Sequence, residues 1–370
     1  MKRVLQWSTK ITKNNLLEPA LTSRILLISP EFYGFEYEIQ ASLQFIGFDV
    51  SWINNKELPL DYHGTGSKLK IFRRIYFFLF LPQIRYLRHE LRKLKDLKFD
   101  IIFSINCHVI CPYLFRELRK ENPGIRSILF LWDSLSMYSW EKEIKCFDEV
   151  YTFDYLDSKR MKIRYKPNFF LVKNSAQDNH EYDLFFAGKF NRYRLLIIEK
   201  LNKKFEGTGI KSYIRLWPDH KNFLHNVLIY SILKILNSSK NWILDYVYNY
   251  EAVTGILARK YVNTNKLEYG FIQNCASVSN VILDLPFKNQ TGYSHRLIDA
   301  LANGKKILTT NAFILGESFY NPEQIKVLNS VDQDIDVDWI FTKSKFKAPE
   351  YIRDLELTVW LKSILNVEFS

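Results

Sequence analysis

The stretch Asp100-Ile101-Ile102-Phe103-Ser104-Ile105 decides the fold. Its apolar residues run on without alternating, as they do in Arg24–Ser29 (RILLIS) and Ser127–Trp132 (SILFLW). A strand with one wet face shows a polar residue at every second position, whereas a strand covered on both faces does not. These runs therefore predict a parallel sheet sandwiched between helices. Asp49–Asn54 and Glu149–Phe153 complete a set of five strands. Helical periods fall between them at Glu36–Ile46, Gln83–Lys98 and Pro112–Glu121. In Gln83–Lys98, Ile84, Leu87, Leu91 and Leu94 share one face, while Arg85, Arg88, Arg92 and Lys95 share another.

The same grammar starts again at Tyr182. Strands are expected at Tyr182–Ala187, Ser212–Trp217, Val281–Leu285, Lys306–Thr310 and Gln324–Leu328. Helices are expected at Arg192–Lys204, Phe223–Leu236, Leu267–Ala276 and Tyr293–Ala302. Two series of strands alternating with helices define an α/β protein of two doubly wound halves. Ser158–Glu181, rich in Lys, Asn and Asp, reads as the connection between them. The expected domains are 1–165 and 166–347, with a terminal helix in 348–370 returning to the first.

The 370 residues suffice for two such domains, and 47% hydrophobic with 25% charged residues excludes a disordered chain. The net charge of +12 is unevenly spread: Lys68–Lys98 holds ten Lys/Arg against Glu90 and Asp96. A concentrated basic face favours an anionic partner. With its interleaved aromatics this segment fits a solvated helix face or contact with an anionic membrane, and a single-stranded nucleic acid less well. Ile71–Leu81 and Phe223–Leu236 are the strongest apolar runs, both short of the roughly 20 residues that cross a bilayer. Met1–Asn15 lacks the apolar core of a signal peptide, so a cytoplasmic protein is expected, peripheral at most to the inner face of the plasma membrane. Cys107, Cys111, Cys146 and Cys275 do not form paired ligand spacings, so no metal is expected.

In doubly wound sheets, ligands bind beyond the carboxyl ends of the strands. One such place is Lys288-Asn289-Gln290-Thr291-Gly292-Tyr293-Ser294-His295-Arg296, where a glycine-containing turn opens a helix. Free N–H groups there suit a phosphate, and Gly292 would allow its close approach. Arg296 would add a forked contact, and Asp299 would accept from ribose hydroxyls. Gly188, Lys189 and Arg192 end the first strand of the second half and could clamp the same diphosphate. In the first half, Glu31, Tyr33 and Gly34 follow the first strand and His108 follows the third, lining the acceptor side of the cleft. Asp133 ends the fourth strand, where it either serves as general base or caps the next turn.

These motifs in this order resemble the GT-B glycosyltransferases, which have two Rossmann-like domains facing a central cleft. The run Asp299-Ala300-Leu301-Ala302-Asn303-Gly304 stands where many of these carry the helix carboxylate that holds the donor ribose. Leu27–Gly34, Leu131–Ser134 and Gln290–Gly292 with Arg296 are similar to bacterial lipopolysaccharide- and capsule-biosynthesis proteins related to the spore-maturation glycosyltransferases. The likeness spans roughly residues 24–365. It implies metal-independent transfer from a nucleoside-diphosphate sugar, with no cofactor, to a glycan or lipid-linked acceptor. Two departures stand out: Thr291 where many retaining members have Glu, and Asp299 in place of the usual Glu. A nucleotide- or glycan-binding protein derived from that fold is the rival expectation.

Overall fold

The computed structural model describes residues 23–55, 86, 89–106, 111–135, 144–171, 180–217, 260–262, 267–287, 289–329, 333, 335–343 and 346–367. His108 and the expected helix Phe223–Leu236 lie outside the described residues, as does most of the basic segment 68–98.

The first sheet contains β1 (Arg24–Ser29), β2 (Asp49–Asn54), β3 (Ile101–Ile105), β4 (Arg126–Leu131), β5 (Glu149–Thr152) and β6 (Arg164–Tyr165). Its order is β2-β1-β3-β4-β5-β6, and every pair is parallel. The second sheet contains β7 (Tyr182–Lys189), β8 (Ser212–Trp217), β9 (Ser279–Asp284), β10 (Lys306–Thr309) and β11 (Ile325–Val327). It runs β11-β10-β9-β7-β8, again all parallel. The continuous apolar runs are the reason. Ile101–Ile105 and Ser279–Asp284 are buried at every position, so neither strand has a face for water. One element went unforeseen: β6 lies within the stretch read as inter-domain connection and extends the first sheet instead.

The helices that frame the two sheets' carboxyl ends are α1 (Phe35–Ile46), α2 (Cys111–Glu121), α3 (Tyr155–Met161), α4 (Arg192–Lys204), α5 (Tyr269–Ser277) and α6 (His295–Ala302). A short α7 (Val337–Phe341) and α8 (Leu357–Leu365) close the chain. Side chains start five of them. Asp154, Asn191, Ser294, Asp336 and Glu356 accept from the N–H of Asp157, Arg194, Leu297, Trp339 and Val359, which are otherwise orphaned donors of the first turn. The turn from α6 into β10 needs glycine. Gly304 has φ +61°, and a Cβ there would lie 2.0 Å from the Phe346 carbonyl oxygen.

The terminal helix returns to the first half. Trp360 is fully buried, with ring centroids 4.7 Å from Phe130, 4.9 Å from Phe169 and 6.4 Å from Phe103. Its indole N–H donates to the Pro167 carbonyl at 2.8 Å. Burial of a ring of that size contributes about 4–6 kcal/mol. Phe170 and Leu357 add backbone bonds where the chain crosses between halves, since Phe170 N donates to Leu355 O and Leu357 N to Phe170 O. Phe103, Phe130 and Trp360 belong to the same buried cluster as Leu297, Ile307 and Ile325 of the second half. The apolar interior is therefore continuous across the domain seam.

Candidate functional site

The carboxyl ends of β7 and β9 are tied together by an arginine. Arg194 is 5% exposed, donates to the carbonyls of Leu285 and Lys189 at 2.7 and 2.8 Å, and stacks over Phe287 at 4.3 Å. Burial pushes its guanidinium down to about 9; nearby Arg296 pushes the same way, while Asp284 and Tyr33 oppose. Arg192, named from the sequence, is half-buried on the first turn of α4. The inward position belongs to Arg194, next to Leu195 and Ile198 on the apolar stripe. Asn191 as cap sets that phase, and this was the signal available in the sequence.

Arg296 enters from the opposite side. Its guanidinium lies over Phe186 at 4.6 Å, with Nη1 3.7 Å from Asp284 Oδ1 and Nε buried without a partner. A Cβ on Gly188 would come within 3.2 Å of Arg296 Nη2, so the missing side chain at 188 makes room for the guanidinium. Gly188 and Arg296 are thus brought together, with Lys189 half-buried at the end of β7. Asp284 went unread in the sequence although it ends a continuous apolar strand. It is fully buried and accepts from Ser294 Oγ at 2.6 Å and Thr309 Oγ1 at 2.9 Å. Arg194 and Arg296 face Asp284 and Asp299, and burial keeps the Asp299 carboxyl protonated up to about pH 7, so below that pH the region is net positive, which favours an anion.

Asp299 lies one turn beyond Arg296. Its Oδ2 accepts from Tyr269 Oη at 3.2 Å and Gln273 Nε2 at 2.7 Å. Burial pushes the carboxyl up to about 7, against the hydrogen bonds and Arg296, which favour the charged form. The native state therefore holds a proton here that the unfolded chain releases near pH 4. Stability from this group is full below that point and lost as pH rises through about 7. Asp299→Asn is expected to gain on the wild type between pH 5 and pH 8, by about 1–2 kcal/mol with partial exposure discounted. Melting curves at the two pH values check this; a constant difference between the proteins would contradict it.

The glycine turn corrects the sequence reading. The N–H groups of Thr291 and Gly292, assigned above to a phosphate, donate to Asp154 Oδ2 at 2.7 and 2.9 Å, and Thr291 Oγ1 donates to Asp154 Oδ1 at 2.5 Å. A Cβ on Gly292 would lie 2.6 Å from the Phe153 ring and 2.7 Å from the Phe153 carbonyl oxygen. The glycine admits the first domain's backbone. Gln290 Nε2 donates to the Gly292 carbonyl at 3.1 Å, holding the turn from within. This turn is an inter-domain joint.

In the first half, Tyr33 also departs from its assigned side. It adopts φ +59°, costly for a bulky residue, and its ring meets Trp217 of the second half edge-on at 5.8 Å. It therefore faces the second half. Gly34, at φ +87°, caps α1, while exposed Glu31 accepts from Asn54 Nδ2 at 2.7 Å. Asp133 stands at the end of β4, where Oδ2 accepts from Asn106 Nδ2 at 2.5 Å. His295 is a further residue missed by the sequence reading. Its Nδ1 donates to the Phe169 carbonyl at 3.0 Å, its ring contacts Phe35, Phe169 and Trp132, and burial pushes it down to about 4. It is a neutral imidazole at any physiological pH.

Among the described residues no group of three or more His, Cys, Asp or Glu could hold a metal ion, and no helix is long and apolar enough to cross a membrane.

The two parallel sheets facing each other at their carboxyl ends make this a GT-B fold. The structure is similar to a Burkholderia xenovorans alpha,alpha-trehalose-phosphate synthase (UDP-forming), solved with glucose-6-phosphate, at TM-score 0.52 and 11% identity; the match covers 93% of this chain and 99% of that one. It is also similar to the lipopolysaccharide outer core galactosyltransferase WaaB, at TM-score 0.43 and 13% identity over 93% of this chain and 98% of that one. Acinetobacter baumannii MurG matches at TM-score 0.38 and 11% identity over 78% of each chain. No protein-family model matches the chain, and no curated protein matches it.

Proposed function

We propose that this protein is a glycosyltransferase that moves a sugar from a nucleoside-diphosphate sugar to an acceptor in bacterial cell-envelope polysaccharide synthesis, of the lipopolysaccharide or capsule kind. One observation carries the reading: Arg296 is a guanidinium with an unmet Nε–H, a carboxylate no nearer than 3.7 Å, and a glycine opposite it. Buried donors without partners are rare and call for an acceptor. A diphosphate laid against Arg296 supplies one.

In this scheme Arg296 bonds the leaving diphosphate, while Arg194 supplies positive field and holds the ends of β7 and β9 in place. Preorganised cations of this kind stabilise the charge that develops as the anomeric C–O bond breaks, so no metal is required. Lys189 and Arg192 flank the same mouth. Asp299 takes the ribose. Tyr33 crosses from the first half to close the donor site. The attacking hydroxyl sits on the first-half side and gives its proton to Asp133, at the strand end. The basic segment 68–98 would keep the enzyme by a lipid-linked acceptor at the inner face of the membrane.

A second reading has its own support. Thr291 stands where the resemblance to retaining GT-B members implies a Glu, and its hydroxyl is bound to Asp154, which suits a protein that binds nucleotide without turnover. The test begins with thermal shift against UDP, GDP, ADP, CMP and their sugars; a ligand at a hundred times its Kd adds about 2.7 kcal/mol. Nucleotide release from the stabilising donor, with and without EDTA, follows. Release unaffected by EDTA is expected. Stabilisation without release would favour the binding protein, and no stabilisation by any nucleotide would overturn both readings.

A further inference from the structure

Tyr269 and Gln273 stand four residues apart on α5, so both side chains leave one face of that helix. Both reach Asp299 Oδ2, and Gln273 Nε2 lies 2.5 Å from Tyr269 Oη as well. The pair braces itself and pins one carboxylate oxygen from two directions. Neither bond takes Oδ1, which is the oxygen left for a ligand. Tyr269 has a second contact of a different kind. Its ring packs edge-on against Phe35, 4.7 Å between centroids, and Phe35 is the first residue of the first-half helix α1. One residue therefore rests its ring on one half and its hydroxyl on a carboxylate of the other.

We infer that Tyr269 and Gln273 are positioning residues that hold Asp299 with one oxygen toward the ribose diol of a nucleoside diphosphate, and that Tyr269 makes this hold depend, through Phe35, on the two halves being packed together. The inference rests on the donor reading above and deepens it.

A carboxylate pinned at Oδ2 presents Oδ1 in one orientation, and the two diol hydroxyls are donors that need such an acceptor. Without the pins the carboxylate rotates, and its orientation must be fixed at the moment of binding. The charged groups facing this cluster are Arg296, one turn earlier on α6, and Glu38 of α1, which faces Tyr269. Both pinning bonds favour the charged form of Asp299. Removing one should move the pH dependence of ribose binding upward.

The experiment is calorimetric binding of UDP, GDP and ADP, each beside its 2′,3′-dideoxy counterpart, to wild type, Tyr269→Phe, Gln273→Met and Phe35→Leu. The wild type is expected to prefer the ribose form by about tenfold or more, as sites that hydrogen-bond a hydroxyl do. Tyr269→Phe and Gln273→Met should each cut that preference about threefold or more and leave dideoxy binding unchanged. Phe35→Leu should cut it too, without removing a polar atom. Tyr269→Phe should also shift the pH midpoint of ribose-form binding upward. A preference unchanged in the variants overturns the inference, as does equal weakening of both forms, the mark of a merely structural role. Wild type that binds without preferring ribose overturns it while sparing the donor reading. Wild type that binds none of the nucleotides overturns the donor reading itself. Gln273→Met carries the test should Tyr269→Phe fail to fold.

Discussion

Gly292→Ala is expected to destabilise the whole protein rather than to weaken ligand binding alone. The new methyl group would overlap the Phe153 ring and carbonyl at 2.6 and 2.7 Å, and one of those atoms is backbone. The joint has to open, and with it go the bonds from Thr291 and Gly292 to Asp154. Overpacking of this kind costs about 1–3 kcal/mol, and the lost bonds from a buried carboxylate add to it. A fall in melting temperature of roughly 5–10 °C should follow. Had the glycine served a phosphate, the variant would melt like the wild type and lose nucleotide affinity only. Differential scanning calorimetry with a nucleotide titration separates the two outcomes.

Arg296→Ala is expected to show the opposite pattern. Stability should change little, because Asp284 keeps its bonds to Ser294 and Thr309, and what is lost is the stacking on Phe186 and a long ion pair at 3.7 Å. Nucleoside-diphosphate affinity should fall roughly ten- to a hundredfold, the worth of a charge-assisted bond to phosphate. Arg296→Lys should recover part of it, since a point charge remains but the fork is gone. The same titration measures all three proteins, and unchanged affinity in Arg296→Ala would remove the diphosphate from this place.

The strands were legible because burial on both faces writes itself as uninterrupted apolar residues. Arg24–Ser29, Asp49–Asn54 and Ser212–Trp217 were read with the bounds they have in the structure. β6 has two residues and no such signature; only its pairing with β5 defines it. Among the site residues, Arg296 and Gly188 were read as neighbours of one ligand, and the fold does set them side by side. Arg194 was within reach, since a cap at Asn191 turns position 194 inward. What Gly292 serves was not. Its partner is Phe153, far away in sequence, and a glycine before a helix reads alike whether a phosphate or another backbone fills the space. Asp154 was hidden for the same reason: its local role as the cap of α3 leaves no trace of the second domain that it also holds.

The central claim is that residues 188–194 and 284–299 share one bound pyrophosphate. Hydrogen–deuterium exchange of the protein alone and with saturating UDP, GDP or ADP tests it directly. Slowed exchange in both stretches together, with at least one nucleotide, is the predicted result. Slowed exchange confined to peptides of the first half, with both of these stretches unchanged, would contradict it.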